Sequence, residues 1–234
     1  MRIRLALTFL LATGSVHAAD SQPSGKPMAW SYHLLATAQE AFEKRAPTQA
    51  PGATLAFSLP KVPPGQGNHQ VELVQGDQRI PLTMVSGSSF ALPRGPDAVE
   101  SNAMVVANRN FAKGHTNHPN IEVRSPGLSD NVRRMGDLRL ACVAQVEMAK
   151  AEGYKFRAML AAAGMFGLGV CKELEVTNID APHGAYDTIT IEDGTRRLVQ
   201  SAREKKLPVL GDQSWSDNAR ISYSLVERTA PSRE

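Results

Sequence analysis

Two stretches of this chain carry the same signature 118 positions apart. VELVQGDQRIPL sets Gly76 and Arg79 in an alternating apolar run, and ITIEDGTRRLVQ sets Gly194 and Arg197 at the same relative places. Alternation on both sides of a glycine turn predicts a β-hairpin. The likeness extends outwards. TLAFSL (Thr54 to Leu59) is answered by ELEVTN (Glu173 to Asn178), the loop VPPG by APHG, Leu92-Pro93 by Leu207-Pro208, and ESNAMVVAN by SDNARISYS, all at offsets of 115 to 119. Self-similarity at a fixed spacing constrains architecture before any motif does. It predicts two related β-units, residues 52–109 and 172–227. Their alternating strands each need a second layer to bury one face. The expected fold is therefore mainly β with a helical insertion (α+β), the two units packing as a sandwich of immunoglobulin-like or prealbumin-like form.

Helices frame this pattern. Leu34, Leu35, Ala38 and Phe42 recur at spacings of three and four, which predicts an N-terminal helix within residues 28–46, ending before Pro47. Residues 110–171 form the expected insertion. Its first part is polar, with a short strand expected at Ile121 to Val123. Its second part is rich in Ala, Met, Glu and Lys, residues that favour helix. Leu138, Leu140 and Cys142 alternate, so 138–142 reads equally as strand or as a first helical turn. Residues 228–234 are a polar tail.

The N-terminus, MRIRLALTFLLATGSVHAAD, has Arg2 and Arg4 ahead of a short apolar core and small residues at Ala18 and Ala19. This predicts a signal peptide over residues 1–19, followed by a polar linker at 20–27, and places the protein in the periplasm or outside the cell. The apolar core is far shorter than the roughly 20 residues of a membrane span, and no later segment reaches that length. In an oxidising compartment the two cysteines, Cys142 and Cys171, are expected to form one disulfide. There is no C-x-x-C to suggest a redox role.

Charge narrows the partners. The chain has 26 basic and 23 acidic residues, and removing Arg2 and Arg4 leaves a net charge of about +1. Nucleic acid as a partner calls for a clustered basic surface. The short runs Arg133-Arg134, Arg196-Arg197 and Lys205-Lys206 read instead as solvated loops or strand edges.

Candidate chemistry is sparse. In KGHTNHPN, His115 and His118 stand three apart, half of a zinc site, with His69 or His183 available to complete it. No H-E-x-x-H, G-x-S-x-G or S-x-x-K pattern occurs. In GDQSWSDNARISYSL, Asp212, Ser214 and Ser216 alternate like the first ligands of a calcium loop, but Tyr223 stands where that loop needs glutamate. Trp215, with Asp212 beside it, is the candidate ligand contact, since an indole stacks on sugars or anchors a protein partner. The expected function is thus an exported, non-enzymatic β-module binding a cell-envelope protein or glycan, with no resident cofactor. The alternatives are a hydrolase using zinc or another divalent ion at His115 and His118, and an assembly factor that pairs through an edge strand.

Overall fold

The computed structural model describes residues 27–59, 69–93, 102–110, 118–153, 169–180, 186–204 and 207–225. The expected signal peptide at 1–19, most of the expected linker, His115, His183, the helix-favouring residues from Tyr154 to Phe166 and the tail at 228–234 lie outside the described residues. The protein is mainly β, with three antiparallel sheets and a few helices.

The first half opens with β1 (Pro27–Ser31), which runs directly into α1 (Tyr32–Gln49). Leu35, Ala38 and Phe42 form the buried stripe of α1, as their spacing requires. The helix passes through Pro47 and does not stop before it. A proline in the last turn removes a single intrahelical bond, and the turn is still closed by the Ala50 N–H donating to the Ala46 carbonyl at 3.0 Å. Next come β2 (Thr54–Ser58), the hairpin β3 (Val71–Gln75) and β4 (Gln78–Pro81), β5 (Ser89–Phe90), β6 (Met104–Asn110) and β7 (Asn120–Arg124).

The second half opens the same way, with β8 (Val132–Arg134) running into α2 (Met135–Ala151), then α3 (Val170–Glu173). It continues through the hairpin β9 (Tyr186–Asp193) and β10 (Arg196–Ser201) to β11 (Arg220–Leu225). Residues 138–142, ambiguous by period, lie inside α2. The strand expected over ELEVTN shrinks to an isolated bridge between Glu175 and Val209, flanked by bonds from the Val176 N–H to Pro208 and from the Leu210 N–H to Leu174.

Two of the sheets have four strands, in the orders β1-β6-β3-β4 and β8-β11-β9-β10. Their registers also match. Leu73 pairs with Val105 as Ile191 pairs with Ile221, and Gln75 faces Gln78 as Asp193 faces Arg196. Both hairpins turn on a glycine of positive φ, Gly76 at 56° and Gly194 at 61°, a conformation that costs other residues Cβ strain. In this arrangement α2 is not an insertion between two units. It follows directly on a strand of the second sheet, as α1 follows on β1.

The third sheet, β5-β2-β7, shares one apolar cluster with the first. Phe90 stacks between Trp30 and Phe57, at centroid distances of 6.3 and 5.7 Å. The second sheet has its own cluster around Ile189, Ile191, Ile221, Tyr223 and Trp215. Helix α2 lies between the two. Leu140, Ala141, Ala144 and Met148 enter the first cluster, whereas Met135, Leu138, Cys142 and Val146 enter the second. Cys142, mid-way along α2, is bridged to Cys171 in α3 with a Cα separation of 5.9 Å. Among the described residues no helix is long and apolar enough to cross a membrane.

Candidate functional site

A cavity of about 740 Å³ opens where the two halves meet. One wall is β7, with Asn120, Ile121, Glu122 and Arg124. The other is Asp130, Asn131 and Arg133 at the start of β8, together with Thr177 to Asp180, and α2 contributes Ala141 and Gln145 from below. The volume falls in the usual range of small-ligand sites.

The wall is held by a buried charge network. Arg133 is 1% exposed, although the sequence reads it as part of a solvated run. Strand pairing turns its side chain inward, and burial is tolerated because Nε and Nη1 of the guanidinium are both engaged with oxygen. Its Nε donates to the Asp180 carbonyl at 2.9 Å and to Oδ2 at 3.1 Å, and Nη1 donates to the carbonyls of Asp130 and Val132 at 2.7 and 2.9 Å. Asp180 has φ of 45°, the only positive value at a non-glycine among the described residues. Aspartate tolerates that region better than most residues. Burial pushes its pKa up to about 6, against the lowering effect of Arg133 and Arg124, and Glu122 adds a further push upward.

A second network fixes the turn from β7 to β8. Asp137, fully buried in the first turn of α2, accepts from the Ser125 N–H at 3.1 Å, from Ser125 Oγ at 2.7 Å and from the Arg134 N–H at 3.4 Å. A carboxylate at a helix N-terminus also complements the helix dipole. The end of β7 is thereby tied to α2, which sets the width of the cleft. Around this rigid frame the side chains of Asn120, Glu122, Asp130, Gln145, Thr177 and Asn178 line the cavity, and among the described residues none makes a hydrogen bond or ion pair.

The residues singled out by sequence lie elsewhere. Trp215 is 2% exposed, part of the second core, with the Arg196 guanidinium 3.6 Å from its ring centroid. Its indole offers no face to a sugar. Asp212 closes its own turn, accepting from the Ser214 N–H at 2.9 Å and Oγ at 2.6 Å, and these bonds hold its pKa below the usual carboxylate range. Asp193 is held low in the same way by the N–H and Oγ of Ser216. Arg139 from α2 completes the loop, donating to the carbonyls of Leu210, Asp212 and Trp215 and pairing with Asp217. GDQSWSDN is thus a clamped structural loop.

His118 pairs through Nε2 with Glu152 Oε1 at 2.9 Å. Among the described residues no three of His, Cys, Asp and Glu converge as metal ligands, and His115 lies outside them. The cleft itself was missed in the sequence reading. Its residues are common polar types scattered over four segments, and the one signal available, a pair of arginines in β8, points equally to solvent.

The chain matches no protein-family model, no curated protein and no solved structure.

Proposed function

We propose that this protein is an exported, non-enzymatic binding module whose recognition site is the cleft between β7, β8 and the Thr177 to Asp180 segment, and whose ligand is a cell-envelope protein or glycan. The observation that carries the reading is the group of six polar side chains without internal partners among the described residues, set around the buried Arg133–Asp180 pair. Polar groups that a fold leaves unpaired in a concave site are available to a ligand without first breaking internal bonds. Export is supported by the disulfide, which persists in oxidising compartments. The immunoglobulin-like or prealbumin-like form of the fold belongs to this proposal too, supported by antiparallel pairing throughout and by the core shared between the first and third sheets.

The test is a titration of isotope-labelled protein with envelope polysaccharide fragments and with short peptides, followed by NMR. The side-chain amides of Asn120, Gln145 and Asn178 are expected to shift together, and Gln145→Ala is expected to weaken binding by about tenfold. Shifts confined to the Trp215 loop would instead place recognition at the far end of the second sheet.

A further inference from the structure

Both long walls of the cleft are sheet edges. β7 is the terminal strand of the three-stranded sheet and β8 is the terminal strand of the second four-stranded sheet. Asn120, Ile121 and Glu122 are consecutive and all line the cavity. Successive side chains of a strand point to opposite faces, so a cavity that touches all three runs along the edge of β7 and not across one of its faces. Among the described residues, β7 makes no backbone hydrogen bond outside its ladder with β2. An edge of this kind is a row of unsatisfied N–H and C=O groups, which another strand can complete.

The lining also selects among polar ligands. Among the described residues no lining side chain is aromatic, so they offer no platform on which a sugar ring would stack. Amides and a hydroxyl, at Asn120, Gln145, Thr177 and Asn178, offer the mixture of donors and acceptors that peptide groups require. The charge is lopsided. Three carboxylates, Glu122, Asp130 and Asp180, face two guanidiniums, Arg124 and Arg133, so the described lining carries one net negative charge, and the carboxylates of Glu122 and Asp130 have no ion-pair or hydrogen-bond partner among the described residues.

Resting on the cleft as the recognition site, we infer that its occupant is an extended segment of another polypeptide, added as a strand to the free edge of β7, with a lysine or arginine of that segment met by Glu122 and Asp130. Main-chain bonds supply affinity in this mode, and pockets for alternate side chains supply the preference.

The experiment screens the purified chain against an immobilised library of short random peptides and resynthesises the enriched sequences. The enriched peptides are expected to be basic. Their binding is expected to slow amide exchange across residues 120–124. N-methylation of alternate peptide nitrogens is expected to abolish binding in one parity and spare it in the other. Glu122→Lys, at a half-buried position, is expected to weaken basic binders about tenfold or more with an unchanged circular dichroism spectrum. Peptides indifferent to N-methylation in both parities, protection away from β7, or no peptide binder at all would each overturn strand addition. If polysaccharide fragments still shift Gln145 and Asn178 in that event, the cleft stands as a glycan site, and if neither probe shifts them the cleft reading falls as well.

Discussion

Arg133 and Asp180 meet across 47 positions of sequence at 1% and 4% side-chain exposure. Removing one member of a buried pair leaves the other charge without compensation, which costs about 3 to 5 kcal/mol. Arg133→Ala is therefore expected to lose stability on that scale in urea unfolding, and a loss near zero would show that the pair is solvated. The pH dependence has a definite sign. Asp180 binds its proton more tightly folded, at about 6, than an unfolded aspartate does near 3.8. Its protonation therefore favours the fold as pH falls through this window, and its ionisation opposes the fold as pH rises from about 4 to about 6. Comparing urea midpoints of the wild-type protein and Asp180→Asn between pH 4 and 7 isolates the effect. The difference should shift against the wild type up to about pH 6 and then level off. Parallel curves would mean that Asp180 keeps an ordinary pKa.

At the scale of elements, α2 organises the molecule. Its N-terminal carboxylate, Asp137, ties down the end of β7, and Arg139 on the next turn clamps the Gly211 to Asp217 loop. Gly136 lets the helix start close to its neighbours. A Cβ there would lie 2.4 Å from the Gln49 carbonyl oxygen, so the end of α1 and the start of α2 approach through a glycine. Arg139→Ala would leave three carbonyls short of a donor, a loss of about 1 to 3 kcal/mol for each one that stays dry. The expected readout is a red-shifted Trp215 emission as water enters the loop, with β-sheet circular dichroism retained. Emission that stays at the wild-type position would show that Arg196, stacked on the indole, holds the loop alone. Which elements form was largely legible in the sequence. Hairpin alternation and turn glycines placed β3-β4 and β9-β10, because a period of two and a positive-φ turn are local properties. The strand-helix pair β8-α2 was not legible as a counterpart of β1-α1. The three residues of β8 are too few to show a period, and its pairing with β11 lies 86 or more positions away.

For the whole molecule, the disulfide joins α2 to α3 and closes a loop of 29 positions beside the second core. Replacing both cysteines by serine is expected to cost about 3 to 4 kcal/mol, most of it through the entropy of the unfolded chain. Thermal unfolding with and without reductant measures this, and an unchanged midpoint in reductant would show that the crosslink contributes nothing. By itself the sequence determined the β character, the two hairpins with their glycine turns, the α1 stripe and the pairing of the only two cysteines. Each of these follows from local periodicity, turn chemistry or counting. The tertiary structure alone decided the rest. It buried Trp215, which the sequence offered as a ligand contact, and Arg133, which the sequence offered to solvent. It drew Asn120, Glu122, Gln145, Thr177 and Asn178 around one cavity. Burial and convergence depend on how sheets and helices pack over long range, and neighbouring residues in sequence carry no record of that packing.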